Sequence, residues 1–423
     1  MTDQTLATLV VPQKSERFSG YQSLLIVLLA LTQFTIILDF TIMSPLGAIL
    51  MPSLHISAGQ FGVAVSAYAF SAGISGILAA GFADRFDRKR LLLFLYVGFA
   101  LGTVLCAMAA SYEVLLVGRI VTGLFSGVIG SVVLAVITDR FPLQMRGRAM
   151  GFVQTAFAAS QVLGIPVGLY LTNHWSWHAS FLAIVALSVL AITGIVVAME
   201  PVNAHLRLQR GESPFRHLIA TVRQPRYRLA FAVTTLLATG GYMLMPFGSA
   251  YIVRNLGIDM AQLPIIYLVA GLFGIVTGPI VGVVSDKLGK YPTFVFGAVV
   301  SSIMVVIYTN LGHVSLATVI VVNVLMFVGL FSFMIPSQAL MSALPDEGQR
   351  GSFNAVTASL QQLSGGLASV LAAAIIAQNP DGSLIRFDWL GYIVIAATLV
   401  SVIAMYFVQK TVTLQAGAVA EAA

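Results

Sequence analysis

Apolar runs of about 20 residues recur along almost the whole 423-residue sequence, each long enough to cross roughly 30 Å of hydrocarbon as a helix. Inside a bilayer every backbone polar group must be satisfied within the segment, so runs of this kind specify spanning helices. Twelve are counted, over 22–49, 57–83, 91–110, 112–137, 149–171, 179–199, 229–253, 263–285, 292–311, 315–342, 352–377 and 389–408. With 58% hydrophobic and only 9% charged residues, the chain is too apolar for a soluble domain pair. The expected fold class is an all-α membrane protein of 12 transmembrane helices.

The formal net charge of +6 raises the question of nucleic acid, and the positions of the cations answer it. With the N-terminus inside, all of the 22 Lys and Arg except Arg119, Arg254 and Arg386 fall on cytoplasmic segments. The positive-inside rule then sets the orientation, with both termini cytoplasmic in a cell membrane, the inner one if bacterial. The basic loops read as topology signals facing anionic headgroups, not as a nucleic-acid surface. No cleavable signal layout precedes the first run, which is expected to remain as a span. The single cysteine, Cys106, falls within the third span and excludes an intrachain disulfide. In HWSWH, His174 and His178 have the i, i+4 spacing of a metal pair, but no carboxylate or thiolate stands nearby, and Trp175 and Trp177 suit an interfacial aromatic belt. No metal or cofactor is expected.

Six runs precede and six follow EPVNAHLRLQRGESPFRHLIATVRQPRY, the longest polar connection. The expected organisation is an N-terminal segment 1–20, a six-helix bundle 21–199, a linker 200–228, a second bundle 229–409 and a tail 410–423. Within the linker, FRHLIATVR reads as an amphipathic helix at the membrane surface. The halves echo each other. AGFADRFDRKR at 80–90 aligns with GVVSDKLGKY at 282–291, and FPLQMRGRAMG aligns with LPDEGQRGSFN at nearly the same shift. Parallel six-helix repeats imply a substrate site between the halves near the midplane.

The repeated loop resembles the signature GxxxD(R/K)xGR(R/K) of the major facilitator superfamily. Gly282, Asp286, Lys287, Gly289 and Lys290 fit it; Asp84, Arg85, Arg88 and Lys89 match in the first copy, with Ala80 and Asp87 at the glycine positions. The resemblance implies a charge latch that breaks in one state; a turn carrying topological charge is the alternative. LLVGRIVTGLFSG is similar to the fourth-helix motif of proton-coupled members, with Arg119 at its arginine. AASQVLGIPVGLYL is similar to the fifth-helix antiporter motif, reduced to Gly164, Pro166 and Gly168. LDFTIMSPLGAIL resembles the first-helix motif of drug:proton antiporters, matching at Asp39 and Thr41. Together these imply the major facilitator fold and the 12-helix drug:proton antiporter family, including its sugar-efflux-like bacterial branch.

A charge at the centre of a spanning helix costs about 2.5–3.5 kcal/mol on insertion scales. Helix ends aside, Asp39 and Arg119 carry the interior charges, of opposite sign and at a similar expected depth of about 10–15 Å from the outer ends. Thr32, Thr35, Asp39 and Met43 share one face of the first helix, and Arg119, Thr122, Ser126 and Gly130 form a stripe on the fourth. Asp39 reads either as a reversibly protonated carboxyl or as a carboxylate locked structurally to Arg119. Arg119 would tune that site, bind an anionic substrate group, or hold two helices together. Gly164, Pro166 and Gly168 read as a pliable gate or as close packing.

Substrate contacts are expected among Gln154, Gln161, Tyr242, Met243, Met245, Phe331, Met334, Gln338, Asn354, Thr357 and Gln361, by residue type and by the helices that line the cavity in the resembled family. No phosphate loop is present, so ATP is not implied. The sequence points to no enzyme. It points to a monomeric secondary transporter whose partners are protons, a small solute and the lipid bilayer. Proton-coupled efflux of a drug, sugar or metabolite leads; a facilitator or symporter, or a transporter-like sensor, are the alternatives.

Overall fold

The computed structural model describes residues 18–79, 83–203, 206, 214–346 and 349–422. Among them are 12 helices long and apolar enough to span a membrane: α1 Gly20–Ser53, α2 Ala58–Ala79, α3 Arg88–Ala107, α4 Tyr112–Arg140, α5 Gln144–His174, α6 Trp177–Ala198, α7 Pro225–Arg254, α8 Met260–Leu288, α9 Lys290–Thr309, α10 Leu316–Ser342, α11 Arg350–Ile375 and α12 Phe387–Leu414. Each expected run is found, with ends shifted by a few residues. The face where α1 begins and the arginine-rich loops gather is called the basic face below, and the opposite one the far face.

Local chemistry sets the boundaries. Ser19 caps α1 reciprocally with Gln22, and Ser315 caps α10. Asp87, which stands where the signature has glycine, accepts the Arg90 N–H at 2.9 Å as the N-cap of α3. Its φ is −56°, whereas the matching Gly289 turns α8 into α9 at φ +98°. The two copies of the loop therefore make the same connection with different backbones, and Asp87 escapes the strain that a positive φ would impose.

Two helices are broken where proline removes a donor. In α5 the expected bend at Pro166 is resolved as a π turn over Ser160–Gly164 immediately before Ile165 and Pro166. In α7 a tight 3-10 turn, Met245–Phe247, surrounds Pro246, and the Tyr242 carbonyl one turn earlier accepts the Ser369 hydroxyl at 2.9 Å instead. A short β pair, Ala377–Gln378 with Leu384–Ile385, joins α11 to α12 on the far face; nothing in the hydropathy pattern signalled it. The expected linker helix is present as Pro214–Arg223, with Leu218 and Thr221 buried, Ile219 and Val222 exposed, and Thr221 hydrogen-bonded to Ser352 at 2.9 Å.

The core is continuous across the far side. One apolar cluster runs through α1–α6 and on into Met243, Tyr251, Leu263, Tyr308, Ala372 and Phe387 of the second half. A separate cluster, built on Tyr227, Phe294, Phe333, Phe353 and Met405, fills the basic end of the second half alone. The seams are α1 on α7, α2 along α11 and α5 on α8. Small residues set their closeness: a β-carbon on Gly62 would lie 2.5 Å from Ala373 Cβ, and one on Gly271 would lie 2.9 Å from Val162 in the π turn. Toward the basic face α5 and α8 are not packed so: a β-carbon on Gly151, Gly278 or Gly282 would meet nothing within 4 Å among the described residues.

Candidate functional site

Asp39 and Arg119 meet. Arg119 Nη1 donates to Asp39 Oδ2 at 2.7 Å and to the Asp39 backbone carbonyl at 3.3 Å, and both side chains are 0% exposed. Thr103 Oγ1 on α3 lies 3.4 Å from the other carboxylate oxygen, Oδ1. The Arg119 guanidinium stands 4.4 Å over the Tyr68 ring of α2. Its Nε and Nη2 take no hydrogen bond among the described residues. Four helices thus surround one pair of opposite charges, and the pair uses only part of the arginine's donor set.

The helix faces explain how the pair is delivered. Thr32, Thr35 and Met43 are buried with Asp39 along α1, and Thr122 and Ser126 with Arg119 along α4. Thr32, Thr122 and Ser126 return their hydroxyls to their own helix backbones, and Thr35 also meets Tyr96 at 2.7 Å. Thr41, beside Asp39 in the resembled motif, bonds the Ile37 carbonyl at 2.8 Å. A β-carbon on Gly123 would come within 2.4 Å of the Tyr68 carbonyl, so α4 reaches α2 only because glycine stands there. The shared level is not reached at equal depth from the helix ends. Asp39 lies about 21 Å along α1 from Ser53, but Arg119 only about 10 Å from Tyr112, because α1 runs past the expected end of its span.

Beside the pair the halves touch through aromatic rings. Phe40 lies 5.3 Å from Tyr68 and 5.6 Å from Tyr242 of α7, whose hydroxyl bonds Gln362 of α11. Phe40, Ser44 and Val65 from the first half and Tyr242, Met245 and Pro246 from the second line a small pocket. Farther out, the Ser44 hydroxyl donates to the Met245 carbonyl. The Ser249 hydroxyl donates to the Ser44 carbonyl at 2.7 Å and accepts from the Ala48 N–H at 3.3 Å.

The other expected residues distribute unevenly. Of the substrate candidates, Tyr242 and Met245 converge on the pocket, while Met243 is buried in the apolar core at 1% exposure. Gln161 is half-buried at the α5–α8 seam, Phe331 packs on Gly274, and Met334 borders the second core. Gln154, Gln338, Asn354 and Gln361 are exposed, and the Thr357 hydroxyl is buried without a partner among the described residues. Gln362, Phe40, Tyr68 and Thr103 were missed. Apolar, aromatic and hydroxyl residues in a spanning run carry no signal of their own, even where, like Phe40, they stand next to the carboxylate in the chain.

In the repeated loop, Ala80 and the Asp84 side chain lie outside the described residues. Arg88 bonds Asp139 of α4 at 3.3 Å, and Lys89 caps α6 through the Val196 and Met199 carbonyls. Arg85, Asp286 and Lys287 are exposed, and Lys290 is half-buried at the start of α9. Gly164 and Gly168 pack directly on α1, where β-carbons would meet Leu38 at 2.7 Å and Ile42 at 2.8 Å, and Pro166 is buried between them. His174 and His178 bond different carbonyls, those of Tyr170 and Ala107. Trp175 is exposed, but Trp177 is buried against His178 and Phe181, a correction to the expectation of two belt tryptophans.

The sequence model of a family described as Major Facilitator Superfamily matches residues 29–369 and 230–417. The Bacillus subtilis MFS-type transporter YceJ is 28% identical over 267 residues, 62% of this chain and 67% of that one. A second from the same organism, YtbD, is 24% identical over 284 residues, 66% of this chain and 69% of its own. Among solved structures, a bacterial homolog of the human lysosomal transporter Spinster, inward-facing and occupied, superposes with TM-score 0.69 at 14% identity, covering 94% of this chain and 97% of that one. The partially occluded inward-open xylose transporter XylE from E. coli gives TM-score 0.71 at 15% identity, covering 92% and 98%.

Proposed function

The chain belongs to the major facilitator superfamily of membrane transporters, and from that premise we propose that it exports a small amphipathic solute in exchange for protons. The observation that carries the reading is the fully buried Asp39–Arg119 pair. A carboxylate held by one guanidinium at the level of the inter-half pocket is a group whose proton affinity depends on how closely the arginine stands. Withdrawal of the arginine when the helices shift makes proton uptake easier, and its return makes proton release easier. The Arg119 donors left without a partner among the described residues give the cation a second set of interactions to take up as it leaves the carboxylate.

The exchange is energetically feasible. One proton charge moving through 100 mV supplies about 2.3 kcal/mol, enough for roughly 50-fold accumulation of a neutral solute. The solute site of this reading is the cleft between the halves, with Tyr242 and Met245 at its closed end and Gln154, Gln338, Asn354 and Gln361 on exposed faces of α5, α10 and α11. The second half brings neutral hydrogen-bonding groups and apolar surface, suited to an uncharged or weakly polar solute. The basic face is cytoplasmic in this reading, with the protein a monomer in the cell membrane.

Reconstituted vesicles test it. After a ligand-stabilisation screen across solute classes supplies a solute, an imposed proton gradient is expected to drive it against its concentration. Asp39→Asn is expected to abolish that gradient-driven transport while leaving fold and solute exchange intact. Equilibration without accumulation in the parent protein would establish a facilitator instead, and unchanged pH-driven transport in Asp39→Asn would remove the proton role.

A further inference from the structure

We infer that Phe40 is a positioning residue that makes closure of the two halves depend on the charge state of the Asp39–Arg119 pair; this rests on the proton-coupled reading above. Three observations carry it. Phe40 follows Asp39 directly in α1, so a shift of α1 that moves the carboxylate relative to Arg119 moves the ring as well. On its own half, Phe40 lies against Tyr68, the ring that carries the Arg119 guanidinium at 4.4 Å. Across the seam it lies against Tyr242, which is tied to α11 twice, through its hydroxyl to Gln362 and through its carbonyl to Ser369. Gly365 makes the second anchorage possible, since a β-carbon there would stand 2.5 Å from the Tyr242 ring.

The chain of contacts Asp39, Arg119, Tyr68, Phe40, Tyr242, Gln362 therefore runs from the buried charges of the first half to two helices of the second. Its Tyr68 link lies within one half. Its Tyr242 link exists only while α1 and α7 are closed on each other. Phe40 thus belongs to a contact that has two arrangements, which is what coupling between a site and a gate requires. When the carboxyl takes up a proton, Arg119 loses its ionic partner, its hold on the Tyr68 face changes, and the ring behind which Phe40 packs is no longer fixed. The groups that face Asp39 are Arg119 from α4, Thr103 and Cys106 from α3 and Tyr68 from α2, with Tyr242 of α7 beyond the Phe40 ring; α5 and α6 bring the uncharged Gly164, Gly168 and Ser180 to α1. Among these described groups Asp39 is the acid whose ionisation the geometry ties to the seam.

A solute-free experiment tests this. In full-length protein with Cys106→Ala, a near-isosteric Ser249→Cys reports opening of the far seam by its rate of alkylation with N-ethylmaleimide in vesicles. Divided at each pH by the rate measured in denatured protein, which removes the titration of the thiol itself, this rate is expected to change about two- to ten-fold across about pH 5 to 9, the range that aromatic contacts of this kind can supply. Asp39→Asn is expected to fix the rate at its acid value. Phe40→Leu is expected to flatten the pH dependence to less than about two-fold, and Phe40→Tyr to restore it. Tyr242→Leu is expected to flatten it equally, and the Phe40→Leu/Tyr242→Leu pair no further, because both act through one contact. A Phe40→Leu profile as steep as the parent's, with Asp39→Asn flat, overturns the inference and leaves the proton-coupled reading standing. A steep profile in Asp39→Asn overturns both.

Discussion

Truncating Arg119 leaves the Asp39 carboxyl without its ionic partner where water does not reach, a change that costs about 3–5 kcal/mol, whereas Asp39→Asn keeps an amide oxygen that can accept from Arg119. Arg119→Ala is therefore expected to lower the detergent-phase melting temperature strongly. Asp39→Asn/Arg119→Gln, which removes both charges, is expected to recover most of the stability and none of the gradient-driven transport. A double variant no more stable than Arg119→Ala would show that the residues act separately in folding. A second residue-scale constraint is Gly123, whose added β-carbon would meet the Tyr68 backbone at 2.4 Å, an atom that cannot swing aside. Gly123→Ala is expected to cost about 1–3 kcal/mol, read as the same melting shift, and to loosen Tyr68 from Arg119. The charges of this site were legible in the sequence because a carboxylate and a guanidinium in spanning runs have no cheap explanation. Tyr68, Thr103 and Phe40 were not, because hydroxyls and rings are ordinary in such runs and only the fold says which face the pair.

At the scale of the helices, the irregular turns sit where the halves meet. The π turn of α5 presents its backbone to Gly271 of α8, and the 3-10 turn of α7 presents the Met245 carbonyl to Ser44 of α1. Proline and glycine made both breaks readable as disturbed helix, but the sequence did not distinguish a bend from a π turn. Gly164 and Gly168 read equally well as hinge or packing, and they lie against Leu38 and Ile42. Gly271→Val is expected to hold α5 and α8 apart on the far side without unfolding either half, raising the alkylation rate of a cysteine at position 249 at every pH. An unchanged rate would mean that this seam does not control opening. At the basic face, Arg226 bonds Asp346 and thereby holds that carboxyl below its usual range. A carboxylate depressed in this way stabilises the fold above its ordinary pKa and loses the contribution as pH falls through its folded value. Parent and Asp346→Asn are thus expected to differ slightly in melting at neutral pH and to converge in acid, the small size following from the exposure of Asp346.

For the molecule as a whole, the division of the core explains how two bundles can stay joined and still move. The larger apolar cluster crosses the far side, the smaller one belongs to the basic end of the second half alone, and α2 with α11 connects the two regions. The sequence echo at a shift of about 200 residues foretold two similar units, yet not which ends would be in contact, since hydropathy is the same for every spanning face. Along α2 and α11 the contacts reach from Gly59 and Gly62, opposite Ala373, down to Gly76, where a β-carbon would lie 2.9 Å from Ser359 Oγ. That distance is close to the separation of one β-carbon from the far sulfur in a disulfide. In a Cys106→Ala background, Gly76→Cys/Ser359→Cys is expected to cross-link on oxidation, to stop transport by pinning the basic ends of the halves, and to recover on reduction. If the cross-link forms and transport continues, α2 and α11 move as one body, and the alternation between faces must be carried by α1 with α7 and α5 with α8.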